Sequence, residues 1–174
     1  MNKIILNIIR LICLVIVACF FFSYFVISCM GEEANISGKD AAFGFDMGNN
    51  IKSDPSPVFI FIPGVALVVL VVMGIPSKKN EFDTSKKKIS GKNYIPIIGS
   101  IIGLVLLIIV YNKSIGEVKK QIGVRDISEV FRTGIGFRAS VVAYIFMFVL
   151  PFVDMILIKL KSSPQNYGQT DLKR

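Results

Sequence analysis

Four long apolar runs separated by charged loops constrain this chain more than any other feature. They read LICLVIVACFFFSYFVISC over Leu11–Cys29, PVFIFIPGVALVVLVVMGIP over Pro57–Pro76, YIPIIGSIIGLVLLIIVY over Tyr94–Tyr111, and a fourth run over Phe137–Leu160. A bilayer is crossed by ~20 apolar residues rising 1.5 Å each. A soluble core would interleave polar positions at helical or strand period, and these runs do not. In hydrocarbon each segment must satisfy its own backbone polar groups, so the runs are expected to be helices. The expected fold class is therefore an all-α integral membrane protein with four transmembrane helices in a bundle. Its spans are placed at about 8–29, 57–76, 94–111 and 137–160, forming a single membrane domain.

Composition agrees with that class. The chain is 53% hydrophobic, with mean hydropathy +0.64, above the ~45–50% apolar content of soluble domains. Its net charge of +8 invites a nucleic-acid reading. The basic residues lie in loops beside the runs, however, where topology and anionic lipid account for them. No nucleic-acid partner is expected. The abundance of Ile, Lys, Asn and Phe points to an AT-rich bacterial source.

Loop charge sets the threading. Residues 77–93 carry Lys78, Lys79, Lys86, Lys87, Lys88 and Lys92 against only Glu81 and Asp83. The positive-inside rule places this loop in the cytoplasm, where it should also meet anionic lipid headgroups. Both termini are then cytoplasmic, the tail 161–174 included. Loops 30–56 and 112–136 are outside. The first outer loop is acidic and glycine-rich, without calcium-loop spacing. In the second, Ile115, Val118, Ile122, Ile127, Val130 and Phe131 recur at roughly helical spacing, which predicts an interfacial amphipathic helix between helices 3 and 4. Its net positive charge runs against the positive-inside rule.

Several residues stand out within the runs. Arg10 and Asp154 stand out among the ionisable residues of the spans, and such groups are functional candidates because burying charge is costly. The expected topology puts both near the cytoplasmic side, so they form a candidate intramembrane ion pair between helices 1 and 4. The competing account has Arg10 snorkelling to the interface and Asp154 reaching water or Lys159. Pro63, Gly64 and Pro151 are candidate helix breaks. Gly99 and Gly103, spaced by four, offer a face for close helix packing.

Val26-Ile27-Ser28-Cys29 matches a lipoprotein cleavage pattern, making Cys29 a candidate lipidation site. The length of the first run favours a retained helix instead. Both readings stand at the level of sequence. None of Cys13, Cys19 and Cys29 lies in a C-x-x-C arrangement, so neither a disulfide framework nor a zinc site is expected. Histidine is absent, which removes the commonest general base and metal ligand. No nucleophile elbow or phosphate loop occurs. Neither an enzyme, a metal nor a cofactor is expected.

Phe25-Val26-Ile27-Ser28-Cys29-Met30-Gly31, followed by Ser37-Gly38-Lys39-Asp40-Ala41-Ala42-Phe43-Gly44, resembles a poorly characterised group of small bacterial four-span membrane proteins. In that group a first helix runs into a Ser-Cys-x-Gly turn and a Ser-Gly-x-x-x-Ala-x-Gly loop. The Gly136-Phe137 opening of the last helix is also similar. The resemblance implies that Cys29 and the glycines shape the outer loop rather than mark a processing site. It transfers no activity.

These features lead to an expected role as a non-enzymatic accessory or interaction subunit of a bacterial cytoplasmic membrane, meeting a membrane protein partner or a second copy of itself. One rival is a small transporter or channel subunit using Asp154 and the Pro63-Gly64 break. Another is a lipoprotein acylated at Cys29 with three remaining spans.

Overall fold

The computed structural model describes residues 2–29, 32–46, 52–53, 55–75, 94–122 and 130–161. The basic loop 77–93, the tail beyond Lys161 and residues 123–129 of the expected amphipathic segment lie outside these residues. The elements in order are α1 (Lys3–Cys19), β1 (Ser23–Cys29), β2 (Glu32–Ser37), α2 (Gly38–Phe43), β3 (Phe45–Asp46), β4 (Lys52–Ser53), α3 (Val58–Gly74), α4 (Tyr94–Ile122), β5 (Phe131–Thr133) and α5 (Ile135–Lys161).

The chain is mostly helical, but it is not all-α. The first apolar run is divided. α1 begins at Lys3, where the Asn2 side chain accepts the Ile4 N–H at 3.2 Å as an N-cap. It then tightens into i→i+3 bonds, from Phe20 N to Val17 O, Phe21 N to Ala18 O and Phe22 N to Cys19 O. The remainder, SYFVISC, becomes strand β1. Aromatic and β-branched residues suit a strand as well as a membrane helix, and hydropathy cannot separate the two.

The second correction concerns the loop after helix 3. α4 continues unbroken to Ile122 instead of ending at Tyr111, so Ile115 and Val118 belong to it. Lys113 and Glu117 sit 3.7 Å apart at i,i+4 along this extension. Phe131 lies in β5. A longer helix and a short strand thus replace the separate interfacial helix among the described residues.

The four long helices form a ring in which α1 touches α3 and α5, and α4 touches the same two. Among the described residues, only α4 and α5 are long and apolar enough to meet a length-and-composition test for crossing a membrane. α1 and α3 have 17 residues each, so four spans do not follow from length alone. Large apolar residues face outward around the ring: Ile4 is 67% exposed, Val68 63%, Ile108 60% and Ile156 59%. Inside it, Ile9, Cys13, Ile16, Ile62, Ala66, Leu107 and Met147 are buried.

Neighbouring helices approach closely where α4 has glycine. A Cβ added at Gly99 would lie 2.4 Å from Val69 Cγ2 of α3, and one at Gly103 would lie 2.2 Å from Tyr144 Cε1 of α5. α3 runs through Pro63 and Gly64, and α5 through Pro151, without interruption of the helix.

One end of the ring carries the sheet. β1 is its central strand, antiparallel to β2 on one side and to β5 on the other. A two-stranded ribbon of β3 and β4 follows, with Phe45 opposite Ser53.

Candidate functional site

The sheet is fixed to the bundle at the turn where α1 becomes β1. Three glycines press against that turn. A Cβ on Gly134 would lie 2.3 Å from Ser23 O, one on Gly136 2.7 Å from Cys19 O, and one on Gly38 2.8 Å from Phe20 O. Backbone bonds join the same segments: Gly134 N–H donates to Tyr24 O at 2.8 Å, Ser28 N–H to Val130 O at 2.8 Å, and Lys39 N–H to Phe20 O at 3.1 Å. Ser37 and Asp40 form a capping box that starts α2 beside this junction.

Beneath the sheet lies an aromatic cluster. Phe25 stacks on Phe131 at 5.0 Å and on Phe137 at 5.7 Å, and meets Phe59 edge-on at 6.0 Å. Tyr111 of α4 reaches Phe137 at 5.9 Å. Such pairs add roughly 0.5–1.5 kcal/mol each beyond their area burial, which ties the sheet, the head of the molecule, to the helices below.

Tyr24 is fully buried in this cluster, and its hydroxyl is hydrogen-bonded to Ser140 Oγ at 3.0 Å. Ser140 Oγ also donates to Gly136 O at 2.8 Å. Burial pushes the Tyr24 phenol up to about 12, a rise that the Ser140 hydrogen bond partly offsets. The phenol is therefore neutral at physiological pH, and its role here is hydrogen bonding rather than proton transfer.

Strand alternation divides the sheet into two faces. Phe25, Ile36 and Phe131 are buried beneath it. Glu33, Asn35 and Arg132 are exposed, with Val26 aligned between Asn35 and Arg132. The exposed face mixes one acid, one base and one amide contributed by β2 and β5. It offers a surface for polar contacts.

The residues singled out from sequence are distributed as follows. Arg10 is half-buried, and its Nη2 donates to Met73 O at 2.8 Å near the C-terminus of α3. Asp154 is fully buried, and its Oδ1 accepts the Asn2 N–H at 2.9 Å. The two thus engage different backbone partners. Because α1 begins at Lys3, Arg10 lies about two turns inside it, about 10 Å from the end that meets Asp154. Cys29 is the last residue of β1, aligned with Glu32.

Sequence reasoning missed the Tyr24–Ser140 pair, the Arg138 side chain near the head, and Tyr144, whose hydroxyl donates to Ile62 O at 2.5 Å. A polar atom inside an apolar run was the available signal, since buried hydroxyls need partners. Among the described residues, no group of three His, Cys, Asp or Glu side chains could hold a metal ion. Neither known protein families, curated proteins nor solved structures provide a match for this chain.

Proposed function

We propose that this chain is a non-enzymatic, membrane-embedded interaction subunit that presents a folded sheet on the outer face of a bacterial cytoplasmic membrane. The observation that carries this reading is the pairing of β1 with both β2 and β5. It joins the two loops at one end of the bundle into a single rigid surface with Glu33, Asn35 and Arg132 exposed.

All four long helices act as spans in this reading. The 17 residues of α1 and of α3 fall at the short end of the ~17–25 that cross a bilayer. Both pack along the longer pair. Their outward residues, such as Leu11, Leu14, Phe61 and Val71, are apolar. Arg10 donates to a backbone carbonyl, which is how a charge at this depth is accommodated. The basic loop 77–93 puts the opposite end in the cytoplasm.

The same fold supports retention of the first segment. Cleavage before Cys29 would remove α1 and nearly all of β1, taking one wall of the ring and the central strand of the sheet. The intact mass of protein purified from its native membrane decides between retention and a lipidated residue at position 29.

The test of function is site-specific photo-crosslinking in intact cells from Asn35 and Arg132, with Leu11 as the lipid-facing control. A discrete adduct from both head positions, absent from Leu11 and matching one partner or a second copy of the chain, is expected. Head positions that yield no adduct, together with ion or solute flux abolished by Asp154→Asn, would replace this reading with a transporter.

A further inference from the structure

A groove of about 500 Å³ runs along the outer surface between α1 and α5. Ala139 and Ala143, one turn apart, give it a low floor beside Ile12 and Val15 of α1, and Phe146 lies at its far end. The volume falls in the range of about 300–1,000 Å³ that small-ligand sites occupy. Its walls are almost wholly apolar, and its one charged member is Arg138.

Arg138 lies in the first turn of α5, at the end of the bundle that bears the sheet. Its Nε donates to Thr133 Oγ1 at 3.1 Å, which fixes the guanidinium against β5. Among the described residues its two terminal nitrogens have no hydrogen-bond partner, and the side chain is exposed. From Arg138 to Phe146 the groove extends about 12 Å along the helix, most of one leaflet of a ~30 Å hydrocarbon core. An open apolar groove of that length with a cation at one end suits a lipid chain in shape and its headgroup in charge.

We propose that this groove holds one acyl chain of an anionic phospholipid whose headgroup phosphate is taken by Arg138. The proposal rests on the membrane-spanning reading above. Guanidinium and phosphate form short, charge-assisted and often paired hydrogen bonds. A zwitterionic headgroup supplies its own cation and gains less from Arg138. An anionic one has none.

The experiment is native mass spectrometry of the full-length protein in detergent, titrated with phosphatidylglycerol and phosphatidylcholine of identical chains. Wild type should retain phosphatidylglycerol preferentially, by about tenfold. Arg138→Gln should lose the preference, Ala139→Phe should lose both lipids, and Arg132→Gln, on the exposed sheet face, should keep the preference. Equal retention of the two lipids by wild type, or an unchanged preference in Arg138→Gln, overturns the site. Carbonate extraction separates the two levels of the argument. Protein released from membranes defeats both the spanning reading and the lipid site, whereas protein that stays without a lipid preference defeats the site alone.

Discussion

The Tyr144 hydroxyl donates to the Ile62 carbonyl at 2.5 Å, bridging α5 and α3 from opposite sides of the helix ring. Gly103 provides the space, since its Cα faces the Tyr144 ring where any side chain would collide. The bond and the gap are separable. Tyr144→Phe removes only the hydrogen bond and should cost roughly 0.5–1.5 kcal/mol. Gly103→Leu overpacks the centre and should cost at least the 1–3 kcal/mol typical of inserted core volume. Thermal unfolding in detergent ranks them, and a Tyr144→Phe loss exceeding that of Gly103→Leu would contradict this packing.

The glycines at the sheet junction face carbonyl oxygens, which cannot move aside as a side chain can. Gly134→Ala should therefore free the sheet from the bundle, seen as faster amide exchange in β1 and β5 with α4 still protected. Gly116 is the internal control, because a Cβ there meets nothing within 4 Å. Gly116→Ala should be neutral or stabilise α4 by up to about 1 kcal/mol. Similar exchange in the two variants would show that the junction tolerates a methyl group.

Tyr24 predicts how the head responds to base. Its phenol is raised by burial from 10.0 to about 12, so the folded head favours the protonated form. The stabilisation is complete below pH 10 and is lost as pH rises from there through 12. Tyrosinate absorbance should show a component near pH 12 that Tyr24→Phe lacks, and the variant should lose less stability between pH 10 and 12. A titration near pH 10 for this residue would mean that the aromatic cluster is open to water.

Arg10 and Asp154 give a test by double substitution. Arg10 engages Met73 O and Asp154 the Asn2 N–H, at depths about 10 Å apart. Arg10→Gln and Asp154→Asn should therefore add to within about 0.5 kcal/mol. A coupling above about 1 kcal/mol would restore the direct ion pair.

Much of this architecture is legible in the apolar runs, and the misreadings have one physical origin. The helical segments at 58–74, 94–111 and 137–160 follow from hydropathy and the scarcity of polar breaks. Ser23–Cys29 does not, because Tyr, Phe, Val and Ile satisfy a lipid-facing helix and a half-buried strand equally. What selects the strand is its pairing with β2 on one side and with residues 131–133 on the other, neither of which hydropathy within the run reports. The start of the first helix differs for a related reason. Residues 1–10 read as a short basic flank, yet the Asn2 cap starts α1 at Lys3 and carries Arg10 inward. The spacing of Gly99 and Gly103 marks a packing face, but only the fold names Val69 and Tyr144 as what they meet.

The central position of β1 also orders events during synthesis. β1 is made about a hundred residues before β5, so its hairpin with β2 must wait with one edge unsatisfied. That edge closes only after α4 has been made and Gly134 has reached Tyr24. Sheet completion is thus a latch on bundle assembly: an unfinished chain carries an adhesive edge, and a finished one hides it.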